Sequence, residues 1–457
     1  MKDVEITSLE FDSRKIESGA LFFAIKGERY DGHDFVLDAI KKGAVAAVTQ
    51  KKMAVEIPQF VVEDVRLTMA KVAREFYGNF EDITKIGITG TNGKTTTSFL
   101  VHSILHTAER NPGLIGTVYY IGKTKVKAER TTPESLDVFK LISQFKNHGA
   151  KAVVMEVSSH ALSLRRVDEI HFHIAVFTNL SQDHLDFHHN IDEYKKAKMK
   201  IFSLLGENGF AIYNLDDPVR ESIESMGLKN VVTYGVKNRG IVSGEYVQNE
   251  IDGLVIDVIY GDRRYRVNSS LIGAFNIYNI IAAFATSIAL DINIDTIIAG
   301  IEKLQSIRGR MERVVNNVFV DFAHTPSALE NVLISLRKYC PGLLLVVFGC
   351  GGDRDKEKRP QMGAIASRFA DLTILTSDNP RSESPEGIIR DIEKGMKNNN
   401  YKTIEDRREA IRYALSMKKE NDILLVAGKG HEEYQTIGDK KIEFDDAEVI
   451  RECIESL

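Results

Sequence analysis

The residues at 90–96, Gly-Thr-Asn-Gly-Lys-Thr-Thr, are of the types that bind a triphosphate. Glycines let the backbone approach a phosphate closely, and a helix that starts there supplies unpaired N–H groups. Lys94 can bridge the β- and γ-phosphates, and the Thr95 hydroxyl can bind Mg²⁺. The run therefore predicts a phosphate loop, and its candidate nucleotide-binding residues are Gly90, Thr91, Asn92, Gly93, Lys94, Thr95 and Thr96.

The segments on either side of this run agree with that prediction. The apolar residues 85–89 predict a buried strand, and residues 94–109 predict an amphipathic helix. Ile88 stands where the full pattern has its first glycine, so the motif is G-x-x-G-K-T. A glycine turn that merely caps a helix is the alternative interpretation. The loop indicates a protein that uses a nucleoside triphosphate, without distinguishing a ligase from a kinase or a motor protein.

Acidic and imidazole side chains follow further predicted strands. Glu156 lies near the end of a strand predicted over 152–157, a position typical of the carboxylate that organises Mg²⁺. A solvated strand-end carboxylate is the alternative. The stretch 178–188 holds five side chains that could bind a metal ion or hydrogen-bond an anion, among them His184. The helical run 194–200 carries four lysines, three of which we interpret as a solvated face.

Three polar loops follow predicted strands in the last third of the chain. A glycine-rich turn at 348–356 carries Arg354, whose planar guanidinium suits a carboxylate or a phosphate. Ser-Asp-Asn-Pro-Arg at 377–381 and Gly-Lys-Gly-His-Glu at 428–432 follow two further strands. Open α/β sheets bind ligands at the carboxyl ends of their strands. We therefore expect one pocket here that is able to hold a zwitterion.

The alternation of short apolar runs and helical patterns predicts an α/β fold with mostly parallel sheets. We expect three domains: a small N-terminal α/β domain over 1–83, a central ATP-binding domain of the phosphate-loop type over 84–313, and a C-terminal Rossmann-like domain over 314–457. Strands are predicted over the runs 20–25, 44–49, 60–62, 85–89, 152–157, 173–178, 210–214, 318–322, 343–348, 372–376 and 423–427.

Composition and charge argue against several classes of protein. The net charge of −5, without a long Lys/Arg cluster, predicts no nucleic-acid partner. The longest apolar runs, such as 343–348, are too short to span a bilayer, and no apolar signal region follows the opening Met-Lys-Asp-Val-Glu. The cysteines Cys340, Cys350 and Cys453 have no paired metal spacing and are interpreted as core residues. We expect a cytoplasmic protein without membrane insertion.

The motifs and their order resemble those of the Mur ligases, a family of ATP-dependent amide-bond ligases. Besides the phosphate loop, the resemblance lies in Thr-Asn-Leu-Ser-Gln-Asp-His-Leu-Asp at 178–186, Gly-Ala-Phe-Asn-Ile-Tyr-Asn at 273–279, Gly-Arg-Met-Glu at 309–312 and Asp-Phe-Ala-His-Thr-Pro at 321–326. Shorter motifs at 12–14, 131–134, 378–381 and 428–432 are similar to those of the member that adds a diamino acid. The matches cover almost the whole chain.

The resemblance implies a reaction. ATP would phosphorylate the γ-carboxylate of D-Glu in UDP-N-acetylmuramoyl-L-Ala-D-Glu, and the amine of a diamino acid would attack the resulting acyl phosphate. Two Mg²⁺ ions and Lys94 would screen the repulsion between the two anions. By the same resemblance, Thr95 and Glu156 bind one Mg²⁺ and His184 binds the second. Lys198 would react with CO₂ to give a carbamate, N6-carboxylysine, that also binds Mg²⁺.

The resemblance also assigns binding residues to three ligands. Besides the phosphate loop, the nucleotide is contacted by Asn276, Asn279, Arg310, Asp321 and His324. The UDP-sugar dipeptide is held by Ser13, Thr131, Thr132, Ser158 and Arg166, and the N-terminal domain is its binding domain. The incoming amino acid is held in the C-terminal domain by Arg354, Asp378, Asn379, Arg381, Gly428 and Glu432. In the family the last domain closes like a lid, and we expect a monomer.

The incoming amino acid is expected to be meso-diaminopimelate. Within the family, Arg381 and its loop contact the side-chain end of that substrate. An arginine fork suits the second carboxylate of diaminopimelate, and a guanidinium left unpaired penalises lysine. Asp378, Asn379 and Glu432 would bind the distal ammonium group. meso-Lanthionine, a thioether with the same two ends, remains an alternative, as do lysine and ornithine.

Two other functions are weighed against this one. A folylpolyglutamate synthetase would share the phosphate loop and the acyl-phosphate chemistry, but it should not need the region around Ser13 or the loop 378–381. A nucleotide-gated binding protein without catalysis would lack some of the implied catalytic residues. All four of these, Lys94, Glu156, His184 and Lys198, are present.

Overall fold

The computed structural model of the protein describes residues 4–27 and 30–456 in an α/β arrangement. The strands are β1 Ser8–Glu10, β2 Ala20–Phe23, β3 Ala44–Thr49, β4 Gln59–Val61, β5 Thr84–Thr89, β6 Pro112–Ile115, β7 Tyr119–Ile121, β8 Lys125–Lys127, β9 Ala152–Glu156, β10 Phe172–Phe177, β11 Leu205–Asn214, β12 Asn230–Gly235, β13 Val242–Glu250, β14 Gly253–Tyr260, β15 Arg263–Ser269, β16 Glu312–Val315, β17 Val318–Asp321, β18 Leu344–Phe348, β19 Leu372–Leu375, β20 Tyr401–Thr403, β21 Ile423–Ala427, β22 Tyr434–Ile437 and β23 Lys440–Glu443.

The helices surround these strands. They are α1 Val36–Lys41, α2 Val65–Tyr77, α3 Lys94–Thr107, α4 Ser135–Asn147, α5 Ser159–Ser163, α6 Leu185–His188, α7 Ile191–Met199, α8 Arg220–Glu224, α9 Asn276–Ala289, α10 Ile294–Lys303, α11 Pro326–Tyr339, α12 Lys358–Phe369, α13 Pro385–Glu393, α14 Arg407–Met417 and α15 Asp446–Ser456. Two short 3-10 helices span Gly32–Phe35 and Lys200–Leu204.

The chain forms two compact units. Of the described residues, the first contains those within 1–89, 110–175 and 197–209, and the second those within 90–109, 176–196 and 210–457. The domain boundaries expected after residues 83 and 313 remain a prediction.

The first unit contains a parallel four-stranded sheet in the order β1-β2-β3-β4. Every residue of β2 is buried, and Phe22 and Ala24 pack with Val36 and Ala39. In the same unit β5, β9 and β6 run parallel, and β7 and β8 continue from them in antiparallel fashion. Strands that are covered on both faces are apolar along their whole length, which explains the continuous apolar run of β9. That strand ends at Glu156.

The second unit holds the helix of the phosphate loop. In it α3 packs against α9 and α10. The approach of α10 is close, because a Cβ on Gly300 would lie 2.5 Å from the Cα of Ile104. Strands β11, β12 and β13 are parallel, and β13, β14 and β15 form an antiparallel meander. The N-terminus of α3 is thus fixed by a well-packed helical layer.

The last third of the chain forms a six-stranded sheet in the order β16-β17-β21-β18-β19-β20. All its pairs are parallel except that of the edge strand β16. Apolar clusters cover both faces, one including residues of α11 to α13 and the other residues of α14 and α15. The pairing places Phe348 beside Leu375 and Ala427. The three polar loops that follow these strands therefore start side by side, as the sequence predicts.

The prediction of an α/β fold with mostly parallel sheets is confirmed, and each predicted strand has a counterpart. The main differences are antiparallel additions. β13 is a nine-residue strand whose second half is mostly exposed, so it lacks the apolar run that signals a buried strand. β11 begins at Leu205, five residues before the predicted start, because its first half includes Gly206 and Gly209, which weaken the strand pattern. Among the described residues, no helix is long and apolar enough to cross a membrane.

A buried ion pair stabilises the C-terminal sheet. Arg407 and Asp446 are both fully buried, and their side chains form two hydrogen bonds of 2.7 Å. We expect Asp446→Asn to lower the free energy of unfolding by about 3–5 kcal/mol, because it leaves the guanidinium buried without its counter-charge. Urea unfolding monitored by circular dichroism measures the change. Arg408 and Glu452 on the same two helices form an exposed pair, so Glu452→Gln should cost only ~0–1 kcal/mol. Equal losses in the two variants would contradict this expectation.

Candidate active site

The phosphate loop is shaped by glycines in the left-handed region. Gly90 has φ +141° and Gly93 has φ +85°. A Cβ on Gly90 would lie 1.9 Å from Thr178 Oγ1, and one on Gly93 would lie 2.4 Å from Asn279 Oδ1. Both positions therefore exclude any side chain, and the loop keeps an open backbone that leads into the N-terminus of α3.

The stretch that starts at Thr178 supports this loop through hydrogen bonds. Thr91 N donates to Asn179 O over 2.8 Å, and Asn92 N donates to Asn179 Oδ1 over 2.9 Å. Thr178 Oγ1 donates to Asn92 O over 2.6 Å. The resemblance implied that both motifs serve the same site, and in the second unit they lie in direct contact. The side chain of Asn92 also hydrogen-bonds Ser181 and Ser327.

Lys94 faces the inner side of the loop. Its Nζ donates to Gly90 O and Thr91 O, each over 2.8 Å. Thr95 is buried, and Arg310 Nη2 donates to its hydroxyl over 3.0 Å. Two cationic groups thus lie at the loop where a triphosphate would bring negative charge. A lysine that donates to backbone carbonyls can transfer those hydrogen bonds to phosphate oxygens without moving far.

Three more of the predicted nucleotide residues belong to this part of the second unit. Asn279 Nδ2 donates to Asn276 Oδ1 over 2.8 Å, so these two side chains lie together at the start of α9. The Arg310 guanidinium lies over the ring of Phe322, 4.8 Å from its centroid. Asp321, at the end of β17, is buried and accepts a 2.6 Å hydrogen bond from Met311 N. Burial raises the pKa of Asp321.

The imidazoles of His184 and His324 meet at one carboxylate. His184 has φ +54° and its Nε2 lies 3.3 Å from Asp183 Oδ2. His324 Nε2 lies 3.7 Å from the same oxygen, and Lys358 Nζ lies 4.0 Å from Asp183 Oδ1. The surrounding positive charges hold the pKa of the buried Asp183 well below its usual range, although burial opposes them. Asp183 therefore orients both histidines as an ionised group.

In the first unit, Glu156 is completely buried. Thr117 donates to it twice over 2.7 Å, from its N to Oε1 and from its Oγ1 to Oε2. A Cβ on Gly116 would lie 2.5 Å from Oε1, so glycine is needed beside the carboxylate. The alternative of a solvated strand-end carboxylate is wrong. The carboxylate is instead a buried, oriented group, as expected of a metal ligand.

Lys198 differs from the other lysines of its segment. It is 1% exposed, whereas Lys196 is exposed and Lys195 is half-buried. Lys200 pairs with Asp168 over 2.6 Å and also donates to Leu162 O over 3.0 Å. A buried lysine amine is easier to deprotonate than an exposed one, and a neutral amine is what reacts with CO₂. The burial of Lys198 thus fits the chemistry that the resemblance implies.

The predicted dipeptide residues of the first unit form a connected group. Thr132 Oγ1 donates to Glu156 O over 2.7 Å and accepts from Ser158 N over 3.1 Å. Arg166 Nη1 donates to Thr132 O over 3.0 Å. Thr131 Oγ1 lies 3.2 Å from Thr117 Oγ1, whose single proton is directed to Glu156, so the Thr131 hydroxyl is the donor between them. These side chains therefore share one network with the end of β9.

Two further parts of the predicted dipeptide site have their own surroundings. Glu134 is buried and forms ion pairs with three arginines, Arg66, Arg130 and Arg166. Ser13 lies half-buried in the turn after β1, where Asp12 and Arg14 form an exposed 2.7 Å ion pair. The role of Glu134 was not predicted, although its motif was. A single acidic residue that pairs with three arginines has no signal in the sequence, since the arginines are far apart in it.

The predicted amino-acid residues come together at the carboxyl ends of β19 and β21. Asn379 Nδ2 donates to Asp378 Oδ1 over 3.0 Å and to Glu432 Oε2 over 2.7 Å. Asp378 and Asn379 are buried. A Cβ on Gly428 would lie 2.6 Å from Asp378 Oδ2, so this position needs glycine. Two carboxylates thus face one small region, which suits an ammonium group.

The arginines of this pocket lie on the neighbouring turns. Arg381 has φ +51°, and its Nη1 donates to Gly352 O over 2.6 Å. Arg354 is exposed and donates to Asp353 O over 2.8 Å. Burial and the nearby Arg354 lower the pKa of Arg381. A substrate carboxylate would offset both the burial of this guanidinium and its repulsion by Arg354.

A buried lysine balances the acidic side of the pocket. Lys429 is completely buried, donates to Tyr434 O and lies 3.4 Å from Glu432 Oε2. Burial raises the pKa of Glu432, and Lys429 opposes that shift. Sequence reasoning named the motif of Lys429 but gave it no role. Its position between two glycines could have suggested a buried residue.

The types of side chain at the phosphate loop and at the end of β9 can be compared with what Mg²⁺ needs. Within residues 4–27 and 30–456, no group of three or more His, Cys, Asp or Glu side chains forms a ready-made metal cage. Mg²⁺ at nucleotide sites is typically held by one or two protein oxygens together with phosphate oxygens. The Thr95 hydroxyl at the start of α3 and the buried carboxylate of Glu156 are ligands of that kind.

Comparisons with known proteins place the chain in a family. Three family models match it: "Mur ligase family, catalytic domain" over residues 5–77, "Mur ligase middle domain" over 88–287 and "Mur ligase, glutamate ligase domain" over 309–430. A relative from Bacillus velezensis, named UDP-N-acetylmuramoyl-L-alanyl-D-glutamate--2,6-diaminopimelate ligase, is 44% identical over all of this chain and 95% of its own length. The chain belongs to the Mur ligase family, and the predictions of that family and of a ligase are confirmed.

Solved structures agree with this assignment. A structure of UDP-N-acetylmuramoyl-L-alanyl-D-glutamate--2,6-diaminopimelate ligase is 31% identical and superposes with a TM-score of 0.68, covering 99% of this chain and 95% of its own. A MurF ligase from Thermotoga maritima in complex with ADP is 22% identical, with a TM-score of 0.73 and coverage of 100% and 99%. The second likeness concerns the fold alone.

Proposed function

We propose that this protein joins meso-diaminopimelate to the D-Glu γ-carboxylate of UDP-N-acetylmuramoyl-L-Ala-D-Glu, using ATP. The observation that carries this proposal is the pocket in which Asp378, Asn379 and Glu432 converge, with Arg381 on the same loop as the first two. Such a pocket offers carboxylates for an ammonium group and a guanidinium for a carboxylate. The name of the 44% identical relative from Bacillus velezensis, a UDP-N-acetylmuramoyl-L-alanyl-D-glutamate--2,6-diaminopimelate ligase, supports the same substrate pair.

The proposed reaction has two steps. The γ-carboxylate of the dipeptide attacks the γ-phosphorus of ATP, which gives an acyl phosphate and ADP. The amine of diaminopimelate then attacks the acyl carbon, the amine loses a proton, and phosphate leaves from the tetrahedral intermediate. Lys94 exchanges its hydrogen bonds to Gly90 O and Thr91 O for phosphate oxygens and offsets the charge that moves onto ADP.

Mg²⁺, when bound, would neutralise phosphate charge and hold the triphosphate for in-line attack. The proposed ligands are Thr95, Glu156, His184 and the carbamate of Lys198. Thr117 keeps the Glu156 carboxylate oriented through two hydrogen bonds. Asp183 Oδ2 lies 3.3 Å from His184 Nε2 and orients that imidazole. The ordered surroundings of these two ligands support the proposal, since metal ligands are usually fixed by hydrogen bonds from other residues.

The dipeptide and the nucleotide have separate proposed binding residues. Ser13, Thr131, Thr132, Ser158 and Arg166 hold the UDP-sugar dipeptide. Asn276, Asn279, Arg310, Asp321 and His324 hold the nucleotide beside the phosphate loop. The hydrogen bond from Arg310 to Thr95 supports the second assignment, because it brings a guanidinium to the loop itself.

The test is ADP release with UDP-N-acetylmuramoyl-L-Ala-D-Glu and ATP·Mg²⁺, offering diaminopimelate, lanthionine, lysine and ornithine separately. A diacid is expected to exceed lysine by about 10²-fold or more in kcat/KM, because a guanidinium left unpaired penalises the monocarboxylate side chain. The ratio of the two diacids identifies the better substrate. Preference for lysine would overturn the proposed amino acid, and absence of turnover with all four would overturn the proposed acceptor.

A further inference from the structure

A second buried arginine lies behind the turns that carry Arg354 and Arg381. Arg359, on α12, is completely buried. Its Nη1 and Nη2 form hydrogen bonds of 3.0 and 2.9 Å with the two carboxylate oxygens of Glu383, which is a bidentate pair. Nη1 also lies 3.0 Å from Asp391 Oδ2. Pairs of this geometry are rigid as well as strong.

Both partners of this pair also bind the backbone of the glycine turn. Arg359 Nη2 donates to Gly351 O over 3.3 Å. Glu383 Oε1 accepts from Asp353 N over 2.6 Å. Asp353 has φ +53°, a conformation that a non-glycine residue adopts only when its surroundings hold it there. The pair therefore determines the path of the turn from 351 to 353.

The glycine turn at 351–353 determines the position of Arg381. Gly352 O accepts the 2.6 Å hydrogen bond from Arg381 Nη1, and Gly352 N donates to Asn379 O over 2.9 Å. The two turns touch, because a Cβ on Gly352 would lie 1.9 Å from Pro380 O. Ser382 adds a hydrogen bond from its Oγ to the Asp353 carboxylate. A shift of the glycine turn would thus move the guanidinium of Arg381.

We propose that Arg359 and Glu383 are positioning residues that set the selectivity of this site for an amino acid with a second carboxylate. The proposal rests on the proposed function. Neither residue is among those proposed to bind the substrate. They act through the backbone of Gly352 and Asp353. Gly352 O binds the Arg381 guanidinium, and Asp353 O binds the Arg354 guanidinium.

The ion pair between Arg359 and Glu383 stays intact over the whole pH range of an enzyme assay. The Arg359 guanidinium holds the pKa of Glu383 at about 2, against the usual 4.5. Glu383 is therefore ionised at every pH above about 4, and changes of pH near neutrality leave the pair intact. A change of selectivity with pH near neutrality would have to come from other groups.

The experiment compares Glu383→Gln and Arg359→Lys with the wild type. For each protein, kcat/KM is measured with diaminopimelate and with lysine, and KM is measured for ATP and for the UDP-dipeptide. We expect the preference for diaminopimelate over lysine to fall by about 10²-fold, since small misplacements of a binding group cost that much. The KM values for ATP and for the dipeptide should stay within about twofold. Loss of general stability would lower both kcat/KM values together and leave their ratio unchanged.

Controls separate the possible outcomes. Glu452→Gln, which removes an exposed ion pair with Arg408, should leave the preference unchanged. Ser382→Ala removes one link between the turns and gives a smaller loss of preference, so it replaces Glu383→Gln if that variant fails to fold. The positioning role is overturned if the preference is unchanged in both Arg359→Lys and folded Glu383→Gln. Ser382→Ala takes the place of Glu383→Gln in this comparison if Glu383→Gln does not fold. A wild type without preference for a diacid overturns the proposed function instead.

Discussion

Lys198→Ala is expected to lower kcat by about 10³-fold or more without unfolding the protein. The reason is that the variant removes the only atom on which the proposed carbamate can form, and with it one anionic ligand for Mg²⁺. The side chain is 1% exposed, so the change also leaves a small cavity, which costs stability but not the fold. Steady-state ADP release with diaminopimelate measures the effect.

The matched control is Lys196→Ala, on the same helix and exposed to solvent. It should keep wild-type activity. A separate measurement addresses the carbamate itself: protein equilibrated with ¹³C-bicarbonate should give a carbamate resonance that is absent in Lys198→Ala and present in Lys196→Ala. Near wild-type turnover of Lys198→Ala would contradict the proposed role of this lysine in metal binding.

Arg381→Ala is expected to reduce kcat/KM for diaminopimelate by roughly 30- to 4000-fold. The range follows from the 2–5 kcal/mol that is lost when one partner of a desolvated charge pair is removed, at 1.4 kcal/mol per factor of ten. Lysine lacks the second carboxylate, and the variant no longer leaves a guanidinium unpaired beside it, so kcat/KM for lysine should rise rather than fall. The preference between the two amino acids therefore collapses, and separate kinetic runs with each amino acid measure it.

Arg390→Ala provides the comparison, since this arginine is exposed near the end of the neighbouring helix α13. It should leave both kcat/KM values unchanged. If Arg381→Ala lowered activity equally with diaminopimelate and lysine, Arg381 would be needed for catalysis or folding rather than for selection. KM for ATP should remain at the wild-type level in both variants.

The sequence was sufficient for the fold class and for much of the site because the relevant signals are local. The phosphate loop needs glycine at 90 and 93 for its φ angles and for contact with Thr178 and Asn279. The strands of the last third are buried on both faces, so their apolar runs are continuous. Parallel pairing then brings the loops after β18, β19 and β21 together without further information.

Other features depend on contacts between residues that are far apart in the sequence. Lys198 is one lysine among four, and its burial distinguishes it from the others only in the folded chain. Thr117 orients Glu156 from 39 positions away, and Arg359 meets Glu383 from 24 positions away. No periodicity or motif reports such pairs, since each partner alone is an ordinary polar residue. Residues that orient ligands are therefore harder to find than the ligands themselves.

The backbone of Arg381 lies against the hairpin of β22 and β23. Arg381 N donates to Thr436 O over 3.0 Å, and Gly438 N donates to Arg381 O over 2.8 Å. The hairpin therefore fixes the backbone position of the residue that is proposed to select the substrate. A one-residue insertion at Gly438 would displace the N–H that binds Arg381 O, and so shift the backbone of that arginine while every pocket side chain stayed the same.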